Sequence, residues 1–351
     1  MESNFIHIEQ LDGSKTRLYC YGTTNTTILG NVLILHGMTE HHERYLPFIQ
    51  VLNKTGFDVY IYDHRGHGTD KKFSDLGFFA KKGGADLVVN DAHIICNYIK
   101  ACGRSDKLAV FGHSMGSLIL RCLIQQYHDI DCAVASSTAV PPTAACNFGI
   151  FLANLLCMFQ GPKKKSKFLE KNMFGTKAYT SLCTRTSFDW LTRNNTEVGK
   201  YVYDPFCGFT CTTSFYRDLL LLIKRANQSF GIKKAKKQLP LLFLTGDKDP
   251  VGGYAKSVTR LYKRYKRLGF TNVDLKVYKE ARHELLHELN VDEVMEDILA
   301  FLQSSLGYPV SASNISSVVT KDTIVSDTPE TTPSENNNPS EDTEAAATTE
   351  A

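Results

Sequence analysis

Ser114 sits at the centre of Gly112-His113-Ser114-Met115-Gly116, a G-x-S-x-G pentapeptide. A serine hydroxyl becomes a nucleophile when a neighbouring base takes its proton and when its oxygen stands clear of the fold. A G-x-S-x-G turn between a strand and a helix meets the second condition. It lifts the hydroxyl above the strand end and sets a helix N-terminus behind it, where negative charge is favoured. Chance alone places this pattern in roughly one chain in ten of this length, so its flanks and partners must carry the argument.

The base and its orienting acid are sought just after other apolar runs, because strand ends are where such groups can meet. Asp249 follows Leu241–Leu244 and His283 follows Val273–Tyr278. The order Ser, Asp, His is the one expected of an elbow-type triad. His283 would take the Ser114 proton and Asp249 would hold the ring's tautomer. Asp247 remains a rival acid and His287 a rival base, although a structural role suits His287 better. A developing oxyanion needs backbone donors. The N–H of Met115, directly after the nucleophile, is one, and the loop after Asn31–Leu35 offers a second, with Met38 the candidate.

These groups need a frame. Leu108–Phe111 reads as a buried strand before the pentapeptide and Leu118–Tyr127 as an amphipathic helix after it. Phe5–Glu9 and Lys15–Gly22 alternate as opening antiparallel strands around an Asp12-Gly13 turn. Asn31–Leu35, Phe57–Tyr62, Cys132–Ser136, Leu241–Leu244 and Val273–Tyr278 supply five more strands. Helices are expected after Tyr45 to about Asn53, and over Gly84 to Lys100, Tyr254 to Leu268 and about Val291 to Ser304. Strands alternating with helices predict an α/β fold, a mostly parallel eight-stranded sheet with helices on both faces. The alternation breaks between Val140 and Lys237, where helix-like segments occur around Ser187–Lys200 and Thr213–Ala226. Residues 1–139 and 238–306 are therefore expected to form one core, and 140–237 a helical lid over the strand ends. Residues 307–351, rich in Ser, Thr, Glu and Asn, are expected to form a disordered acidic tail.

Composition narrows the function. The chain has 351 residues, 42% hydrophobic and 22% charged, with a formal net charge of +3. Residues 307–351 carry about −7, leaving about +10 on the rest. Lys163–Lys165, Lys233–Lys237 and Lys263–Arg267 contribute to that bias, which suits solvated faces or an anionic membrane surface. No nucleic-acid-binding motif accompanies it. The ten cysteines are expected to be reduced thiols, and with no N-terminal leader recognisable the expected location is the cytoplasm, with peripheral membrane contact. Gly149–Phe159 is the most apolar run and reads as too short to cross a bilayer. No phosphate- or dinucleotide-binding glycine motif is present, so no cofactor is expected. His36, His41, His42, His64, His67 and the Cys207/Cys211 pair lack a metal-binding spacing, so no metal is expected.

Five motifs in order resemble one family. They are His36-Gly37-x-x-Glu40-His41-x-x-Arg44-Tyr45, Asp63-x-Arg65-Gly66-His67-Gly68, the Ser114 pentapeptide, Gly246-x-x-Asp249 and Ala281-Arg282-His283-Glu284. The chain is similar over residues 5–305 to the α/β-hydrolases that include monoacylglycerol lipases and lysophospholipases, a group also labelled serine aminopeptidase-like. The resemblance implies an α/β-hydrolase fold, Ser114, Asp249 and His283 as triad, and Met38 and Met115 as oxyanion donors. It also implies a lid over an acyl-binding pocket, for which Phe148, Phe151, Leu152, Leu155 and Phe159 are the candidate lining.

His64 stands where relatives usually carry Gln. Phe188-Asp189-Trp190-Leu191 and Asp204-Pro205-x-Cys207-Gly208-Phe209 resemble the lids of bacterial members, and the acidic tail has no counterpart. The expected substrate is a small acyl ester or lipid: a monoacylglycerol, lysophospholipid or medium-chain ester. A thioester would use the same groups. A peptidase is the alternative suggested by the family label, against which stand the Gly-His-Ser-Met-Gly elbow and the basic lid.

Overall fold

The computed structural model of the chain describes residues 4–310, so the acidic tail lies outside the described residues from 311 onward. Eight strands form one sheet: β1 (Asn4–Glu9), β2 (Lys15–Tyr21), β3 (Gly30–Leu35), β4 (Phe57–Tyr62), β5 (Leu108–His113), β6 (Cys132–Ser136), β7 (Leu241–Gly246) and β8 (Val273–Tyr278). Their spatial order is β1-β2-β4-β3-β5-β6-β7-β8. β1 pairs antiparallel with β2, and β2 with β4, while every other pairing is parallel. This is the mostly parallel sheet that the alternating pattern predicts and the α/β-hydrolase fold that the resemblance implies.

Parallel strands buried on both faces carry near-continuous apolar runs, and β3 and β5 show why. Leu33, Leu35, Leu108 and Val110 enter one core, whereas Val32, Ile34, Ala109 and Phe111 enter the other. The first core is built with α2 (Gly84–Cys102), α3 (Met115–Leu123) and α10 (Lys256–Arg267), the second with α1 (Leu46–Thr55) and α11 (Val291–Ser305).

Between β6 and β7 lie α4 (Thr143–Gln160), α5 (Lys167–Phe174), α6 (Lys177–Thr180), α7 (Asn195–Tyr203), α8 (Thr213–Asn227) and α9 (Ser229–Ile232). α8 packs on α2 and α3, and α4 lies along α8. Gly149 permits the close approach of those two helices, since a Cβ there would come within 2.8 Å of a Leu220 methyl. The helix expected over Ser187–Lys200 forms only from Asn195. The reason is Asp189, whose carboxylate accepts the N–H groups of Thr184, Arg185 and Thr186 at 2.9, 2.6 and 3.1 Å and ties 184–189 into a turn. Gly149–Phe159, read as too short for a bilayer, is part of a helix of 18 residues with mean hydropathy 1.4. Among the described residues this helix alone is long and apolar enough to span a membrane.

Candidate active site

β5 ends at His113 and α3 begins at Met115, so Ser114 occupies the turn between them with φ 50° and ψ −113°. That backbone is strained for a side chain with a Cβ, and the surroundings over-determine it. Ser114 N–H donates to the Ser136 carbonyl at 2.9 Å. The flanking glycines are sterically required. A Cβ on Gly112 would lie 2.6 Å from the Gly116 carbonyl oxygen, and one on Gly116 would intrude on the carbonyl of Leu35.

The loops after β7 and β8 bring the predicted partners to this turn. Ser114 Oγ lies 2.9 Å from His283 Nε2, and His283 Nδ1 lies 3.1 Å from Asp249 Oδ1. Asp249 accepts at Nδ1, so Nδ1 carries the proton and Nε2 is free to accept from the serine. Burial pushes the His283 pKa down, but the Asp249 carboxylate beside the ring more than offsets this and leaves it above 6.5. Ser137 Oγ donates to the His283 carbonyl at 2.6 Å and fixes the loop. The rivals sit elsewhere. Asp247 accepts the Glu280 N–H at 2.7 Å, and the His287 ring lies against the Arg44 carbonyl at 3.3 Å.

Met115 is the first residue of α3, so its N–H has no partner one turn back. In the loop after β3, Gly37 N–H donates to Glu40 Oε1 at 2.5 Å and Thr39 N–H donates to His67 Nε2 at 3.1 Å. Met38 N–H lies between these two pinned amides without a hydrogen-bond partner among the described residues. Met38 and Met115, each with an unengaged N–H among the described residues, line the same cavity as Ser114.

A buried ion network that sequence reasoning missed locks these loops together. Arg44 Nη1 donates to Glu40 Oε2 at 2.6 Å, and its guanidinium grips both oxygens of Glu284 at 2.7 Å. Tyr45 Oη donates to Glu40 Oε1 at 2.8 Å. Burial opposes charge on both glutamates, but Arg44 prevails and holds them below the usual carboxylate range. The loop carrying Gly37 and Met38 is thereby tied to the residue after His283. Glu40, Arg44, Tyr45 and Glu284 all belong to motifs visible in the sequence, but 240 positions separate Arg44 from Glu284.

Above Ser114 lies a cavity of about 1290 Å³ lined mostly by apolar groups from the core, α4, α5 and α8. Trp190 closes on His283, ring centroids 5.2 Å apart, and stacks on Phe174. Of the residues expected to line it, Phe148 and Leu152 do so, whereas Phe151, Leu155 and Phe159 do not. Those three face outward, with Phe151 and Phe159 64% and 74% exposed. α4 is apolar nearly all round, so composition does not reveal which side meets α8; the packing of Gly149 on Leu220 decides it.

One cluster among the described residues has metal-ligand chemistry: atoms of His41, Asp204 and Cys207 lie within 4.8 Å of one another. Asp204 is already bonded to His41 Nε2 at 2.8 Å, and burial pushes the Cys207 thiol far up. The group therefore works as a latch between the β3 loop and the lid segment. Cys211 packs in a different cluster from Cys207, so the C-x-x-x-C pair does not converge.

Residues 26–290 match the serine aminopeptidase S33 family. The chain belongs to this family. Relatives of this S33 member include a monoacylglycerol lipase of Mycolicibacterium smegmatis, 26% identical over 82% of this chain and 93% of its own length. A monoglyceride lipase of Rattus norvegicus is 25% identical over 81% of this chain and 88% of its own. Among solved structures, the S33 member is similar to a thermostable carboxyl esterase from Bacillus coagulans in complex with glycerol. The TM-score is 0.80 at 23% identity, covering 87% of this chain and 99% of the other. A monoglyceride lipase from Saccharomyces cerevisiae in complex with a substrate analogue superposes with a TM-score of 0.67 at 19% identity, over 87% and 97% of the two chains.

Proposed function

We propose that this S33-family α/β-hydrolase cleaves carboxylic esters of lipid-like substrates through an acyl-enzyme on Ser114. The observation that carries the reading is the chain of contacts from Asp249 through His283 to Ser114, placed at the wall of a large apolar cavity. Ser114 Oγ attacks the ester carbonyl carbon while its proton passes to His283 Nε2. The resulting oxyanion is received by the N–H groups of Met38 and Met115. Collapse expels the alcohol with the proton from His283. Water then repeats the sequence on the acyl-enzyme and releases the fatty acid. The substrates proposed are monoacylglycerols, lysophospholipids and medium-chain esters.

A thioester would react through the same groups. A peptidase would need an available carboxylate for a substrate ammonium; of the three glutamates that line the cavity, Glu40 and Glu284 are engaged by Arg44, which leaves Glu170 on α5. Phe148, Phe151, Leu155, Met158 and Phe159 form an exposed stripe on α4, followed by Lys163 and Lys164. Phe148 also lines the cavity. This arrangement supports a cytoplasmic enzyme that rests its cavity mouth on an anionic membrane surface, and the ten unpaired cysteines suit that compartment.

The test is hydrolysis of p-nitrophenyl esters from acetate to palmitate by the wild type and Ser114→Ala. The expected result is activity that peaks at medium or long chains and falls by about 10⁶ in turnover in the variant. Cleavage of aminoacyl anilides but not of esters would transfer the assignment to a peptidase. Ester cleavage surviving in Ser114→Ala would end it.

A further inference from the structure

The cavity wall is not uniformly apolar. α10 contributes Ser257, Arg260 and Arg264 to it. Spaced three and four residues apart, these side chains share one helical face. Arg260 Nη2 donates to Ser257 Oγ at 3.0 Å, and Arg264 Nη1 donates to the Asn227 carbonyl at the end of α8 at 2.8 Å. Both guanidiniums are thus braced by neutral groups and keep most of their donors unspent.

Neither has a carboxylate within ion-pair distance among the described residues, although eight other arginines do: Arg17, Arg44, Arg65, Arg104, Arg185, Arg193, Arg217 and Arg225. Other charges on the cavity wall do not serve them. Glu40 and Glu284 are bonded to Arg44, and Glu170, on α5, is within ion-pair distance of neither Arg260 nor Arg264. A guanidinium at the edge of an apolar cavity gains most from an anion that accepts two parallel hydrogen bonds, and phosphate has that geometry. The volume, about 1290 Å³, exceeds the roughly 300–1,000 Å³ of an ordinary small-ligand site and leaves room for a head group beside an acyl chain.

We propose that Arg260 and Arg264 form a subsite for the phosphate of the substrate, which makes lysophospholipids the preferred esters of this enzyme. The inference rests on the ester-hydrolase reading above and specifies its substrate class. Phosphate bound here as part of the ester lowers the KM of that ester. Free phosphate competes for the same two side chains.

The experiment compares octanoylglycerol with octanoyl glycerol phosphate, both below their micelle concentrations, in wild type and Arg260→Gln/Arg264→Gln. Wild type is expected to show a KM at least tenfold lower for the phosphate ester. The double variant is expected to reduce the ratio of kcat/KM, phosphate ester over neutral ester, at least tenfold, with the loss in KM. Glycerol 3-phosphate and inorganic phosphate should inhibit wild type competitively, and glycerol 3-phosphate should lose at least tenfold in potency on the variant. Ser114-dependent cleavage of octanoylglycerol with equal KM for the two esters, or an unchanged ratio in the variant, would overturn the phosphate subsite and leave the hydrolase intact. No Ser114-dependent cleavage of either ester would overturn both.

Discussion

Arg44→Met probes the network that joins the Met38 loop to the His283 loop. The substitution removes the guanidinium that bonds two buried carboxylates, Glu40 and Glu284, at 2.6 to 2.7 Å. Removing one partner of a buried pair destabilises a protein by about 3–5 kcal/mol, because the remaining charge is left uncompensated. Glu40 keeps donors from Gly37 and Tyr45, so most of the loss falls on Glu284. With an m-value of about 3 kcal/mol/M, the urea midpoint at pH 7 should fall by about 1 M or more at constant m.

The pH dependence has a definite sign. In the wild type both carboxyls titrate below their ordinary value. The stability they contribute is present above that value and is lost as pH falls through the depressed one. In the variant Glu284 loses the charge that most opposes its burial, so its pKa rises relative to the wild type, it protonates more readily and the penalty shrinks as the solution is acidified, while Glu40 keeps its Gly37 and Tyr45 donors and changes less. The gap between wild type and variant should therefore narrow between pH 7 and pH 5. A midpoint shift below about 0.3 M, or a gap that does not change with pH, would refute the charged network.

Three further outcomes are expected. Asp249→Asn should lower kcat by about 10⁴ with the fold intact. His283 must be neutral to accept a proton, so wild-type kcat/KM should rise with pH through a titration above 6.5, and the variant's titration should move down; a superimposable pH profile would count against the assigned orienting role. Gly116→Ala should yield insoluble or molten protein by circular dichroism, because its Cβ has no space beside the Leu35 carbonyl; a native melting curve would contradict the packing of the elbow. Phe151→Ser/Phe159→Ser should weaken co-sedimentation with anionic vesicles at least tenfold while hydrolysis of p-nitrophenyl acetate is retained, since neither residue lines the cavity; unchanged sedimentation would remove the membrane from the proposal.

Much of the frame was legible from sequence because strands buried on both faces must be apolar throughout, as Val32–Leu35 and Leu108–Phe111 are. Ser114, Asp249 and His283 were legible because each lies in the turn or loop that ends a strand, although β8, with Asp274 and Lys276 in it, is not apolar throughout. What escaped is what depends on contacts across the chain. Glu40, Arg44 and Glu284 look like ordinary surface charges until the fold brings them together. Asp189 turned an apparent helix into a capped turn through local hydrogen bonds that compete with helix formation. The outward placement of Phe151, Leu155 and Phe159 followed from how α4 meets α8, which an all-round apolar segment does not encode.

The lid segment is fastened unevenly. Residues 189–204 are held by polar bonds to the catalytic loops: Arg282 to the carbonyls of Asp189 and Thr192, Glu284 N–H to Leu191 at 2.7 Å, Arg193 to Glu288 at 2.8 Å and Tyr201 to Thr39 at 3.0 Å. α4 rests chiefly on the apolar side of α8. Directional bonds tolerate little change, whereas an apolar contact accepts new side chains of similar volume. The two halves are therefore free to diverge at different speeds. Chimeras that import another α4 should alter which chains and surfaces the enzyme accepts and leave the reactivity of Ser114 where it was.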